Sequence, residues 1–280
     1  MPRSAFLISA LVFGYAFLYI PIALLIIFSF NESRLVTVWA GFSVRWYGEL
    51  LTNNQVLSAA WLSLQIAAIQ ATVALVLGTL AGYAMIRFPR FKGRILFAGM
   101  LTAPLIMPEV ITGLSQLLLF ISMEQLIGWP SGRGMTTITI AHITFSMAYI
   151  AVVVQSRLIG FDRAYEEAAM DLGASPAKTF FVVTLPIIAP ALVAGWLLAF
   201  TLSLDDLVIA SFVTGPGATT LPMYIFSSVR MGVSPEINAL ATIIVALVSL
   251  GIIIAGWILM RQERRRQEAV QTAMRDDDAV

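Results

Sequence analysis

Long stretches without a charged side chain constrain this sequence more than any other feature. Uncharged runs cover residues 4–31, 50–86, 134–156, 179–204 and 237–260, and a sixth apolar run, 95–120, is interrupted only by Glu109. A helix needs about 20 residues to cross roughly 30 Å of hydrocarbon. Inside a bilayer each backbone N–H and C=O must be paired within the protein, which restricts such runs to helices. The pattern predicts an all-α membrane protein with six transmembrane helices. Composition agrees, since 59% hydrophobic and 12% charged residues are too apolar a mixture for one soluble core. The first run exceeds the ~7–15 residues of a signal-peptide core and is expected to remain in the mature protein.

The basic residues orient these spans, because positive charge is retained on the cytoplasmic side. With six spans and both termini cytoplasmic, thirteen of the seventeen Lys and Arg residues fall inside, and only Arg34, Arg45, Arg133 and Arg230 fall outside. A seventh uncharged stretch, 207–229, is split by Gly215-Pro216-Gly217 into pieces too short to span. It reads as a re-entrant or interfacial external segment between spans five and six. The expected organisation is a first helix with its external loop over residues 1–56, a five-helix core over 57–260 and a polar cytoplasmic tail over 261–280. Gly78 and Gly82 form a Gly-x-x-x-Gly surface that admits a close helix neighbour. Pro21, Pro104, Pro108, Pro186 and Pro190 are expected to kink spans or mark their ends.

Several chemistries are excluded. With no cysteine and a single histidine, His142, the chain has no disulfide, thiolate site or His-pair zinc site. A net charge of +1 gives no field that would recommend nucleic acid as a partner. A P-loop requires Gly-x-x-x-x-Gly-Lys-Ser/Thr, yet the two lysines, Lys92 and Lys178, follow Phe91 and Ala177. Energy for any pumping must therefore come from another chain.

The cytoplasmic loop between spans four and five, residues 162–176, reads as two short helices. Asp162 is placed to cap the first, and Gly173 suits the left-handed position that ends it. Ser175 caps the second with Pro176 at its first position, and Leu185-Pro186 is expected to close that helix and open the fifth span. The first helix would expose small side chains flanked by carboxylates, a shape that enters a groove on another protein.

The spacing Glu167-Ala168-Ala169, Gly173, then Val183-Thr184-Leu185-Pro186 resembles the EAA loop of bacterial ABC importer permeases, with Val183 where that family usually has Ile. The resemblance implies that Glu166, Glu167, Ala168, Ala169, Gly173 and Pro186 couple the chain to a cytoplasmic ATPase. Segments 19–31, 36–41, 200–206 and 215–222 further resemble the putrescine and spermidine permeases, closest to a putrescine-type subunit. What the resemblance implies is polyamine uptake across a bacterial inner membrane by alternating access. The implied partners are an ATPase dimer that binds ATP and Mg, a second homologous permease, an external binding protein and membrane lipid. Permeation of iron, an amino acid or an inorganic anion is the alternative, followed by a self-powered carrier.

A cationic substrate leaving water requires counter-charge. The span-embedded acids are Glu109, Asp205 and Asp206, the candidate pathway residues. Adjacent residues lie about 100° apart on a helix, so at most one of Asp205 and Asp206 points straight into a shared path. Two other roles stay open: Asp206 as a cap for the next segment, and Glu109 as a partner for backbone freed by Pro108. These acids with His142 would also be the candidates for an intramembrane enzyme. A lone histidine in an apolar run is more often a packing hydrogen-bonder.

Overall fold

The computed structural model describes residues 2–34, 38–88, 90–232 and 235–250, together with 253, 257 and 261. In chain order the helices are α1 (Pro2–Ser29), α2 (Arg45–Thr52), α3 (Asn54–Arg87), α4 (Arg94–Ile106), α5 (Glu109–Ile127), α6 (Met135–Ile159), α7 (Ala164–Asp171) and α8 (Pro176–Thr179). A π-helical turn (Phe180–Thr184) follows, then α9 (Leu185–Asp205), α10 (Val208–Val213), α11 (Leu221–Met231) and α12 (Pro235–Leu250). Among the described residues no strand forms, and five helical segments are long and apolar enough to cross a membrane: Phe6–Ser29, Asn54–Arg87, Glu109–Ile127, Met135–Ile159 and Pro176–Asp205. The sixth run begins in α12 and passes mostly outside the described residues after 250, as does the expected polar tail.

The chain divides into two compact units, Met1–Asn53 with Ser228–Val280, and Asn54–Ser227. In the first, Asn31 organises the stretch after α1. Its amide donates to the Val38 carbonyl at 2.7 Å and accepts from the Ala40 N–H at 2.9 Å, while its own carbonyl accepts from Trp46 Nε1 at 2.6 Å. In the same unit Asn53 Nδ2 donates to Glu236 Oε1 at 2.6 Å. From Phe6 onward α1 is exposed along most of its length, as expected of a helix that faces lipid or another subunit, while Ser29 at its end is buried.

The second unit is built on α3, α6 and α9, which pack pairwise. Gly78 and Gly82 make the α3–α6 approach possible. A Cβ at Gly78 would lie 2.8 Å from Ile150 Cβ and from the Met147 carbonyl, and one at Gly82 would lie 2.9 Å from the Ala151 carbonyl. Beside them Ala71, Ala74, Ile150, Val154, Ile188 and Ala199 close a core with little room for larger residues. Gln70, fully buried, donates its amide N–H to the Ala199 carbonyl at 2.6 Å.

Two proline effects differ from the sequence expectation. The third apolar run is not one helix: it breaks at Met107, whose ψ of 138° is extended, into α4 and α5. Pro108 disfavours helical backbone in the preceding residue and offers no N–H of its own. Conversely, Leu185-Pro186 does not separate α8 from the fifth span. The helix continues from Pro176 to Asp205 through the π turn, where the Leu185 N–H donates to the Phe180 carbonyl five residues back. The wider turn accommodates a proline ring that would clash in a regular α-helical turn.

Candidate functional site

The loop after α6 forms the short helix α7 and then the start of the helical segment Pro176–Asp205. Asp162 Oδ1 accepts the Ala164 N–H at 2.9 Å at the start of α7. Glu166 and Glu167 occupy the first turn, where the helix dipole favours negative charge. At the other end the Gly173 N–H bonds to the Met170 carbonyl at 2.9 Å and the Ala174 N–H to the Ala169 carbonyl at 3.0 Å, a Schellman closure. That closure puts Gly173 at φ +86° with open space where a Cβ would stand, so backbone conformation and not crowding selects glycine. Ser175 Oγ then accepts the Lys178 N–H at 3.3 Å, and Pro176 opens α8.

The two glutamates of α7 meet different surroundings, Glu166 buried and Glu167 exposed. Glu167 is exposed and pairs with Arg163 one turn back at 3.3 Å, an ion pair of small energetic value. Glu166 is only 4% exposed. Its Oε2 lies 2.9 Å from Arg87 Nε at the end of α3, and its Oε1 accepts a hydrogen bond from Thr184 Oγ1 at 2.6 Å. The Arg87 guanidinium also lies over Phe161, 5.4 Å from the ring centroid, and Tyr83 packs edge-on to Phe180 at 4.8 Å. In the sequence Glu166 and Glu167 are alike, both implied by the resemblance to couple the chain to an ATPase. No local signal pairs residues on different helices.

The outward surface of α7 and its closing turn presents Tyr165, Glu167, Ala168 and Leu172, with Leu172 90% exposed. Ala169 is half-buried. This exposed surface combines apolar side chains with the Glu167 carboxylate. Pro186 is not brought to it: it lies on α9, lining an apolar groove with Leu75, Ala189, Leu192 and Trp196.

The three candidate acids fare differently. Glu109 is exposed in the first turn of α5, and Asp205 is exposed as the last residue of α9. Asp206 is engaged: its carboxylate accepts the Ile209 N–H at 3.2 Å and the Ala210 N–H at 2.8 Å, capping α10, and lies 3.0 Å from His142 Nε2. His142 Nδ1 sits 2.8 Å from Ser203 Oγ. His142 and Asp206 thus form a buried packing pair, the capping alternative that the sequence left open.

The segment after α9 is short helix, turn, short helix, and it is fastened at several points. Thr137 Oγ1 donates to the Val213 carbonyl at 2.7 Å, the Leu221 N–H donates to Ser63 Oγ at 2.8 Å, and Gly113 leaves room for Phe212. Ala218, at the centre of this turn region, is buried, whereas Pro216, Gly217 and Thr219 are exposed.

Comparison with known proteins places these features in a family. The family described as "Binding-protein-dependent transport system inner membrane component" matches residues 74–268. The chain is 61% identical to the putrescine transport system permease protein PotI of Escherichia coli strain K12, over 98% of this chain and 97% of that protein. It is 44% identical to the spermidine/putrescine transport system permease protein PotC of the same strain, over 90% of this chain and 92% of that one. Among solved structures, a bacterial ABC transporter involved in alginate import superposes with a TM-score of 0.70 at 16% identity, over 90% of this chain and 96% of that one, which speaks to fold alone. The chain belongs to the binding-protein-dependent inner membrane component family and is a multi-pass permease subunit of an ABC importer, not an enzyme.

Proposed function

We propose that the chain is one of two homologous permease subunits of an ATP-driven importer of putrescine in a bacterial inner membrane. The observation that carries the substrate is 61% identity to a putrescine permease across nearly the whole of both chains. In this reading the exposed face of α7, with Glu167, Ala168 and Gly173, docks into a separate ATPase subunit that binds ATP and Mg. Pro186 contributes by shaping the start of α9. An external binding protein delivers substrate to the segment between α9 and α12, a long connection of the kind that carries function. Glu109 and Asp205 supply counter-charge for the cationic amines along the path, while Asp206 acts as a cap.

The test is uptake of labelled putrescine into proteoliposomes holding this chain, its partner permease and the ATPase, with binding protein and ATP supplied on their proper sides. Uptake is expected only with every component present. Uptake without ATPase or binding protein would replace this reading with that of a self-powered carrier. A complete system that imports another solute and not putrescine would overturn the substrate.

A further inference from the structure

We propose that Glu166 is an internal positioning residue, a buried carboxylate through which movement of α7 is passed to α3 and α9, and not a contact for the ATPase. The inference rests on the functional reading above and adds the route by which force leaves the loop.

The geometry has three parts. The carboxylate uses both oxygens, one on Arg87 at 2.9 Å and one on Thr184 at 2.6 Å. Those partners belong to two different membrane-crossing segments: Arg87 is the last residue of α3, and Thr184 closes the π turn within the continuous segment Pro176–Asp205. One side chain of the short surface helix therefore ties the end of one span to the π turn of another. Its neighbour Glu167 points outward, which divides the work: Glu167 lies on the docking surface and Glu166 beneath it.

The electrostatics favour this arrangement. Arg87 lies in the last turn of α3 and Glu166 in the first turn of α7, so each charge sits at the helix end whose dipole attracts it. With side chains 11% and 5% exposed, the pair is screened little by solvent or salt. Arg87 Nε and Nη2 both lie buried without a well-aligned hydrogen bond, so the contact with Glu166 is a close ion pair and not a bidentate hydrogen-bonded one. The π turn supports the same view, since single π turns inside helices are frequent at functional positions.

The experiment uses the assembled transporter and two ratios: putrescine imported per ATP hydrolysed, and ATPase rate with loaded binding protein over the rate of the same complex without it. Glu166→Gln keeps the shape and the acceptor for Thr184 but removes the charge. It is expected to lower both ratios at least about five-fold, the low end of an inter-site coupling. Thr184→Val should lower them less, and Arg87→Lys, which keeps the charge, should retain part of the coupling. Combining Arg87→Met with Glu166→Gln should be no worse than either alone, because both remove one interaction. Parental ratios in Glu166→Gln, or additive losses in the double variant, would overturn the proposal. Where Glu166→Gln fails to assemble, parental ratios in both Thr184→Val and Arg87→Lys would overturn it equally. Failure of the functional reading looks different, because the unmodified complex would then not import putrescine with ATP.

Discussion

Gly173 shows how much one backbone angle can carry. At φ +86° with nothing near its missing Cβ, the position tolerates any shape but few conformations. Gly173→Val is expected to strain the turn by about 1–3 kcal/mol. The subunit should still insert, yet stimulation of the ATPase by loaded binding protein should fall, while Gly173→Asn, which tolerates left-handed backbone, should retain more of it. Unchanged stimulation in Gly173→Val would remove the closing turn from the coupling surface. The acids divide by their surroundings. Asp206→Ala loses the α10 cap, worth about 0.5–2 kcal/mol, and leaves buried His142 without its carboxylate, so it should lower the thermal midpoint in detergent. Exposed Glu109 and Asp205 have no such cap, and Glu109→Gln with Asp205→Asn should instead lower putrescine uptake. A loss of about ten-fold corresponds to roughly 1.4 kcal/mol of charge-assisted contact. Parental import in both variants would take these acids off the path.

Among the elements, the α3–α6 contact has the least tolerance. A Cβ at Gly78 would meet Ile150 and a backbone carbonyl at 2.8 Å, and a carbonyl within a helix cannot swing aside as a flexible side chain can. Gly78→Val should cost about 1–3 kcal/mol by overpacking, read as less protein surviving in the membrane and a lower thermal midpoint. Gly14 on α1 has nothing within 4 Å, so Gly14→Ala should be neutral in the same assays. The fifth span illustrates a different lesson. Its proline is a strong stop signal in sequence, yet the helix absorbs it by widening one turn at Phe180–Thr184. Local rules price the clash, and neighbouring packing decides whether the chain breaks or bends. At Pro108 it breaks, and Glu109 becomes the first residue of a new helix, where a carboxylate favours the N-terminal dipole.

For the whole molecule, the exposed tip of the segment between α9 and α11 offers a direct test of the proposed binding-protein contact. A cysteine at Ala218 would be buried, so the probe belongs at Thr219 or Pro216, which are exposed. Since the chain has no native cysteine, a crosslink from either position to the binding protein reports that contact alone. Adducts are expected in at least one nucleotide state, and none at either position would count against the docking surface. The sequence by itself determined what depends on neighbours along the chain. Charge-free runs become helices because hydrocarbon offers no other partner for the backbone, Gly173 and Ser175 bound the loop helices, and Gly78 with Gly82 marks a close approach. It could not determine which way each glutamate of α7 turns, since Glu166 and Glu167 are chemically alike and only the packed positions of Arg87 and Thr184 distinguish them. Nor could it decide that Asp206 meets His142, sixty-four residues earlier in the chain. Such pairings depend on how far each helix is rotated and slid against the next, and that register is fixed by side-chain interlock across the core, which no local spacing encodes.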